Sequence, residues 1–375
     1  AIKTTGKFKI MSIGRVQGPT LALIVKKEKE IKAFKSKKYW QVFITAEKPK
    51  VELKYTKDIF DSTELEKFKE IVGKTGEATT KETEQKVKPN PPFNLTTLQT
   101  ETYKLFGVTP ANTLKAAQSL YLAGLISYPR TSSQKLPDSI DYKTILNTLK
   151  TRFKVPALIT KDKPIEGPKK DPAHPSIYPT GNKPPVLSGD EEKVYNLIVK
   201  RFLALFCDDA VIARKKITLK IDDLSFTKNG QEIKKKAWMT FYPTKLKEEE
   251  IPTINNEMKV LDKKFEEKET QPPKRYSQAS ILSELEKRNL GTKATRAAIL
   301  DTLYDRGYIK EKSIEATPLG ISLIETLEKY SPIIIDEDLT KKLQDEMDKM
   351  AEQAKKPEKE KEEIIKKTKR TIIEI

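Results

Sequence analysis

The sequence predicts a multidomain α+β protein in which helical segments flank and interrupt a β-rich region. Its 375 residues exceed the number that one hydrophobic core usually organises. Apolar and polar residues alternate over 39–55 and again within 211–265, as they do in β-strands. Apolar residues recur at helical spacing before, between and after these stretches. We therefore expect one discontinuous β-rich domain with a helical insertion.

The changes in pattern place the domain boundaries. A helical domain is predicted from residues 1–36 plus 271–375, and a β-rich domain from residues 37–90 plus 206–270. The insertion, 91–205, forms the third domain.

The N-terminal segment predicts a glycine-flanked turn that leads into a helix. Arg15 and Gln17 lie in this turn, and apolar residues over 21–31 continue at helical spacing. A guanidinium, an amide and a helix N-terminus together suit a phosphate group. The alternative is that Arg15 and Gln17 only cap the helix.

A tyrosine opens the segment after the next predicted helix. Residues 110–121 have a helical apolar pattern, and Gly124 is a suitable C-terminal stop. Tyr128 follows, with Arg130 two positions later. A phenol is a weak nucleophile at neutral pH, so a guanidinium beside the attacked phosphate would favour phenolate and offset transition-state charge. The alternative is a packed tyrosine beside a surface arginine.

The chain also contains an internal repeat. A shift of 183 positions superposes identical residues, namely Thr109 on Thr292, Ala111 on Ala294, Leu120 on Leu303, Tyr121 on Tyr304, Gly124 on Gly307 and Ile126 on Ile309. Each copy reads as helix, turn, helix, glycine and strand, which predicts two winged-helix-like units. Glu311 takes the place of Tyr128 in the second copy. Convergence of unrelated helix-turn-helix segments is the alternative.

Composition indicates a polyanion-binding surface. The net charge is +18 and the isoelectric point is about 9.4. This charge predicts salt-dependent binding to nucleic acid, although a Lys/Glu-rich thermophile surface would have a similar composition.

The single cysteine, Cys207, excludes a disulfide framework and a four-cysteine zinc site within this sequence. No apolar run approaches the roughly 20 residues that span a bilayer. We expect a cytoplasmic, nucleoid-associated protein with no membrane partner.

Five blocks in sequence order resemble those of type IA DNA topoisomerases, closest in wording to the archaeal branch. They are Ser-Ile-Gly-Arg-Val-Gln-Gly-Pro at 12–19, Pro-Pro-Phe-Asn-Leu-Thr-Thr-Leu-Gln at 91–99, Gly-Leu-Ile-Ser-Tyr-Pro-Arg-Thr at 124–131, His-Pro-Ser-Ile-Tyr-Pro-Thr at 174–180 and Gly-Thr-Lys-Ala-Thr-Arg at 291–296. The resemblance covers almost the whole chain. It implies a catalytic domain, a β-rich arch and a DNA cradle, which together close around DNA.

The resemblance also implies residue roles. Tyr128 matches the nucleophile that forms a 5′-phosphotyrosine link, and Arg130 and His174 match residues beside the scissile phosphate. His174 is the only histidine, and imidazole is the side chain that changes charge near neutral pH. The implied DNA contacts are Ser12, Arg15, Gln17, Thr131, Thr292, Lys293, Thr295 and Arg296. For the threonines and lysine of the last block, simple helix capping is the alternative.

The activity implied is cleavage, passage and religation of DNA strands, relaxing negative supercoils without ATP. DNA, preferentially single-stranded or negatively supercoiled, is the implied partner. No Gly-x-x-x-x-Gly-Lys-Ser/Thr motif occurs in the sequence. The rival hypothesis is a non-catalytic winged-helix DNA-binding or architectural protein. Reverse gyrase would additionally need a fused helicase.

Two departures from the family pattern matter. Ser132 stands where many relatives have aspartate, so a role built on that carboxylate does not carry over. The Toprim domain, which holds Mg²⁺ in the family, has no counterpart in this sequence, and the acidic residues at 336–338 resemble an ordinary helical region. We therefore expect no metal site here, Mg²⁺ bound by a Toprim segment or subunit, and no relaxation by this chain alone.

Overall fold

A computed structural model describes residues 2–4, 7–9, 12–47 and 49–352, so the predicted residues 353–375 of the helical domain lie outside the described part. Its strands are β1 (Ile2–Thr4), β2 (Lys7–Lys9), β3 (Lys38–Ala46), β4 (Val51–Tyr55), β5 (Thr75–Val87), β6 (Ala210–Ile221), β7 (Leu224–Lys235), β8 (Glu257–Glu269), β9 (Ile309–Lys310) and β10 (Glu315–Ala316). Its α-helices are α1 (Gln17–Ala33), α2 (Leu95–Phe106), α3 (Pro110–Leu122), α4 (Tyr142–Arg152), α5 (Gly189–Ala204), α6 (Gln278–Lys287), α7 (Arg296–Asp305), α8 (Pro318–Tyr330) and α9 (Glu337–Glu352).

Six strands form a closed antiparallel barrel in the order β3-β4-β7-β6-β5-β8. The apolar residues of the predicted alternation form the core of the barrel: Ile217, Leu219 and Ile221 are buried there with Val42 and Phe226. Strands from before and after the insertion thus share one barrel. Closure itself was not foreseen from the sequence, which predicted only a β-rich arch; it leaves these six strands without an unpaired edge.

Strand direction places the two chain connections of the barrel at opposite ends. The insertion leaves after Val87 and returns at Ala210, and these two residues pair with each other. The rest of the chain joins at Lys38 and Glu269, which also pair. Because β5 and β8 run antiparallel, the Val87 end and the Glu269 end point in opposite directions. The barrel is therefore the only covalent link between the insertion and the other helical region.

A buried ion pair anchors the insertion to the barrel. Arg201 on α5 is 3% exposed and pairs with Glu101 on α2. Its guanidinium also donates to the Tyr242 hydroxyl (2.9 Å) and to the Pro91 carbonyl (2.9 Å), and it stacks 4.1 Å from the ring centroid of Phe93. These contacts join the chain leaving β5, the insertion and the segment after β7, so one side chain ties the insertion to two segments that adjoin the barrel.

The second helical region packs α1 against α7, α8 and the turn at 332–335. Gly18 on α1 is required there, because a Cβ atom would lie 2.5 Å from the Ile334 carbonyl oxygen. Glu28, buried on α1, accepts a hydrogen bond from Nε of Arg275 at 2.5 Å. Arg275 follows β8, so this pair anchors the second region to its end of the barrel. No helix among the described residues is both long and apolar enough to cross a membrane.

The internal repeat corresponds to two units with the same backbone frame, which we call the first unit (93–180) and the second unit (276–317). α2 and α3 of the first match α6 and α7 of the second. Each first helix begins at a capping box, from Asn94 and from Ser277. Contacts between α2 and α6 and between α3 and α7 bring the two units together.

The frame repeats after the second helix. Gly124 and Gly307 both have left-handed backbones, with φ of 69° and 70°. The carbonyl of each glycine accepts a threonine hydroxyl at 2.7 Å, from Thr180 and from Thr317. Ile126 then forms an antiparallel β-bridge with Pro179. The matching residues of the second unit, Ile309 on β9 and Ala316 on β10, pair in the same way. These matched hydrogen bonds support the repeat over chance convergence of spacing.

Candidate active site

Strand-like pairing positions the tyrosine of the Tyr-x-Arg motif opposite the lone histidine. Ser127 donates its N–H to the Tyr178 carbonyl at 2.9 Å, and its hydroxyl donates to the Ser176 carbonyl at 3.1 Å. The rings of Tyr128 and His174 consequently lie 4.6 Å apart between centroids, at an interplanar angle of 51°. The sequence predicted that both residues serve one site, and the structure places them side by side.

The Tyr128 side chain is half-buried, with a second tyrosine on its other side. Tyr121, at the end of α3 and 38% exposed, meets it edge-on at 5.3 Å between ring centroids. Arg130 is also half-buried, and no hydrogen bond or ion pair joins its guanidinium to another described residue. A hydroxyl, an imidazole and an unpaired guanidinium are thus available to an incoming phosphodiester.

Thr131 supports the positions of Tyr128 and His174 through hydrogen bonds within the protein. It is fully buried, and its hydroxyl donates to the His174 carbonyl at 3.2 Å and accepts the N–H of Ser133 at 3.0 Å. Its backbone carbonyl accepts the first N–H of α2, from Leu95. The predicted contact of Thr131 with DNA stays a prediction; in the structure the Thr131 hydroxyl makes its hydrogen bonds within the protein.

A carboxylate that sequence reasoning missed lies at the centre of the site. The Asp171 side chain is 2% exposed. It accepts hydrogen bonds from the N–H and hydroxyl of Ser132, at 3.0 and 2.9 Å, and from the N–H groups of Ala173 and His174, at 3.0 and 3.3 Å. Ser132 therefore has a carboxylate beside it, supplied by another segment. Only the Asp-x-x-His spacing could have drawn attention to Asp171.

Asp171 also pairs with Lys293 of the second unit. Burial favours the neutral carboxyl, but the hydrogen bonds from Lys293, Ser132 and Ala173 outweigh it and hold the pKa of Asp171 well below its usual range. The carboxylate is therefore charged at neutral pH.

The loop around Lys293 combines exposed hydroxyls with a helix N-terminus. Thr292 and Thr295 are exposed, and the Thr295 hydroxyl accepts the Thr292 N–H at 3.1 Å just before α7 begins. The Thr295 hydroxyl thus supports the loop, and it makes no cap hydrogen bond to α7. Arg296 differs: it is 7% exposed, its Nε donates to the Leu290 carbonyl at 3.0 Å, and burial lowers its pKa. The predicted contact of Arg296 with DNA likewise stays a prediction; in the structure its guanidinium supports the loop through the Leu290 carbonyl.

The N-terminal block is held by an arginine of the second unit. Arg306 donates to Oε1 of Gln17 at 2.7 Å and to the Ser12 carbonyl. The same Gln17 oxygen accepts the Gly14 N–H at 2.8 Å, so the amide braces its own turn. Arg15 is exposed, and its carbonyl accepts the Thr340 hydroxyl at 3.2 Å. Arg306 lies far from Gln17 in sequence, so spacing gave no signal for it.

Four of the five predicted blocks are neighbours in space. A Cβ atom on Gly291 would lie 3.1 Å from Cγ1 of Val16, so the Lys293 loop abuts the N-terminal block. The Lys293–Asp171 pair joins that loop to the Tyr128 and His174 segments. Separate motifs, each weak alone, therefore line one continuous region.

The described residues contain no group of three or more His, Cys, Asp or Glu side chains that could hold a metal ion. At the start of α9, Asp336 accepts the Leu339 N–H at 3.0 Å, and Glu337 pairs with Arg288 at 2.7 Å. These acids serve the helix N-terminus and an ion pair.

Comparison with known proteins identifies the family. A family model described as DNA topoisomerase matches residues 1–360. DNA topoisomerase 1 of Pyrococcus horikoshii is 42% identical, over 100% of this chain and 56% of that protein, and DNA topoisomerase 1 of Methanothermobacter thermautotrophicus is 44% identical, over 92% of this chain and 49% of that protein. The chain thus spans about half the length of these relatives.

A solved structure agrees. Full-length topoisomerase I from Thermotoga maritima superposes with a TM-score of 0.75 and 26% sequence identity, covering 92% of this chain and 60% of that one. The family expected from the motifs is confirmed: this chain belongs to the type IA DNA topoisomerases.

Proposed function

We propose that this chain carries the nucleophile and the single-strand-binding groove of a topoisomerase that cuts and reseals one DNA strand. The observation that carries the proposal is the contact between the rings of Tyr128 and His174, in segments that the Asp171–Lys293 pair joins to the Lys293 loop; Arg130, with no partner among the described residues, follows Tyr128 by two positions. The relaxation of negative supercoils is proposed for the whole protein.

The chemistry follows from Tyr128, Arg130 and His174. The Tyr128 hydroxyl loses its proton and its oxygen bonds to phosphorus, while the bond from phosphorus to the 3′-oxygen breaks and that oxygen takes up a proton. Arg130 offsets the charge on the equatorial oxygens. His174, 4.6 Å from the tyrosine ring, orients a phosphate oxygen or carries a proton. The 5′-phosphotyrosine ester conserves the bond energy, so attack by the free 3′-hydroxyl reseals the strand without ATP.

The groove is proposed to read the DNA backbone. Arg15, the exposed hydroxyls of Thr292 and Thr295, and Lys293 offer charge and hydrogen bonds to phosphates. We assign supporting roles to four further residues, because the hydrogen bonds they make lie within the protein: Ser12, Gln17, Thr131 and Arg296. A groove of this kind favours single strands with little base specificity.

We further propose that the two units form a gate, with the barrel as the arch that tethers them. Only noncovalent contacts join the units directly, so their separation would let a second strand pass while Tyr128 holds the first. The described residues do not fit Mg²⁺, so no step is assigned to that ion; the family's metal is proposed to be bound outside them.

Cleavage of a labelled single-stranded oligonucleotide by the whole protein tests the proposal. Tyr128→Phe removes the nucleophilic oxygen and should abolish the covalent adduct on a denaturing gel, with strand affinity within about threefold. Tyr121→Phe is the matched control, since it removes a neighbouring hydroxyl and should keep adduct formation. An undiminished adduct in Tyr128→Phe would remove this tyrosine from the mechanism. Tight strand binding with no adduct in any variant, the unaltered protein included, would favour an architectural DNA-binding protein.

A further inference from the structure

One ion pair connects the catalytic segments to the DNA-binding loop of the other unit. Its carboxylate, Asp171, belongs to the first unit and is almost fully buried, whereas its ammonium, Lys293, belongs to the second unit and has a side chain that is 31% exposed. The pair therefore crosses between the units, with its cationic end toward solvent.

The carboxylate depends on this cation for its charge balance. Its other four donors are the N–H and hydroxyl of Ser132 and the N–H groups of Ala173 and His174, all neutral. A buried anion with neutral donors alone is poorly compensated, so it holds a nearby ammonium strongly. The first unit thus holds Lys293 and offsets its charge.

The same ammonium lies where a DNA phosphate would bind. Thr292 and Thr295 flank it with exposed hydroxyls, and the N-terminal block adjoins the loop at Gly291. A phosphate arriving there meets a lysine that is already neutralised, and a carboxylate that repels it. Phosphate and carboxylate must compete for one charge.

We propose that Asp171 and Lys293 form an electrostatic latch between the two units, which a DNA phosphate releases by taking over Lys293. The inference rests on the proposed function and adds a regulatory contact to it. By linkage, if DNA binding loosens the pair, then the pair weakens DNA binding by the same factor. The latch therefore favours the closed, DNA-free arrangement.

A second cross-unit pair provides the control. Lys169 of the first unit lies 2.9 Å from Glu286 on α6, and their side chains are 46% and 20% exposed. This pair is more open to water and therefore more weakly coupled than Asp171–Lys293. It also lies outside the proposed groove contacts, so Lys169→Met should leave strand affinity within about twofold.

The test measures the affinity of the 375-residue chain for a fluorescent single-stranded oligonucleotide across a salt series. Asp171→Asn keeps the side-chain shape but frees Lys293, so affinity should rise about 3- to 10-fold. The logarithmic salt dependence should stay close to that of the unaltered chain, because DNA takes over Lys293 in both and the number of phosphate contacts is the same. The double variant Asp171→Asn/Lys293→Met removes both charges, so it should lose the whole rise in strand affinity that Asp171→Asn produces. Thermal unfolding checks that each variant is folded.

Weaker or equal binding by folded Asp171→Asn would overturn the latch, as would a gain that persists in the double variant. Lys293→Met gives a check that does not depend on the folding of Asp171→Asn. It should lower the salt slope of the unaltered chain by about 0.7, and an unchanged slope would show that DNA never takes this lysine. A failed latch with an intact Tyr128-dependent adduct would leave the proposed function standing, whereas loss of that adduct would overturn the function itself.

Discussion

The first and second units share a backbone frame but differ in the loop that joins their paired strands. In the second unit, residues 310–313 connect Ile309 to Ile314 by a short turn in which Glu311 has φ of 64°. In the first unit, residues 127–176 connect the matching positions. The frame on both sides is unchanged, since Ile177 and Ile314 donate to the carbonyls of the matching residues 93 and 276 at 2.8 and 2.7 Å.

The proposed catalytic residues lie at the two ends of this longer loop. Tyr128 follows its start, and His174 precedes its end, so the strand pairing that closes a turn in the second unit brings the two rings together in the first. The same fold thus carries the proposed nucleophile in one unit and the loop proposed to contact DNA in the other. Because the hydrogen-bonded frame of the second unit is also present in the first, it holds the longer loop at both ends and pre-organises the candidate site.

The largest effect is expected where the first unit meets the barrel. Arg201→Ala leaves Glu101 without its buried partner and should destabilise the chain by about 3–5 kcal/mol. Arg275→Ala is the matched change at the second anchor. It removes a more exposed arginine but leaves a more deeply buried carboxylate, Glu28, so it should cost a similar amount. Urea unfolding measures both, and a negligible loss in either variant would show that its ion pair does not anchor its region to the barrel.

Next in size is an effect on chemistry that only the first unit should show. Arg130→Ala removes the guanidinium beside the reacting phosphate, so single-turnover cleavage by the whole protein should slow about 10²- to 10³-fold. Strand affinity should change by less than about threefold, and Arg130→Lys should recover part of the rate. A loss of affinity as large as the loss of rate would make Arg130 a binding residue.

The smallest effect tests whether the two frames are equivalent. Gly124→Ala and Gly307→Ala place a Cβ on left-handed backbones with open space around them, since Asn182 at 3.8 Å from the Gly124 position is the nearest atom found for either glycine. Each should cost about 1–2 kcal/mol, and the two costs should agree. Thermal unfolding measures them. A clear difference would mean that the loop in the first unit has altered the strain of its frame.

Local patterns predicted much of the fold. The alternation at Ile217, Leu219 and Ile221 predicted β6, and the apolar spacing over 110–121 predicted α3. The internal repeat was visible in the sequence because the matching residues before Tyr128 are all 183 positions apart. Beyond Tyr128 this separation changes, so the equivalence of Thr180 and Thr317 could not be found by shifting the sequence against itself. Closure of the barrel depends on long-range pairing, such as β3 with β8, which no local pattern encodes.

The sequence predicted which residues would form the candidate site, but not how their side chains would be oriented. Matched motifs placed Tyr128 and His174 in one site, as the structure does. A motif does not say which way a side chain points, so Thr131 and Arg296 were expected at the DNA although both are buried. Asp171 escaped notice because its partners come from three separate segments.

The most direct test of the account is identification of the residue that becomes attached to DNA. The whole protein is trapped on a single-stranded oligonucleotide, digested with protease and nuclease, and analysed by mass spectrometry. The account predicts a 5′-phosphate on the peptide that contains Tyr128 of the first unit, and on no other. A phosphate on Tyr304 of the second unit, on Tyr121, or at a 3′ end of the DNA would contradict it.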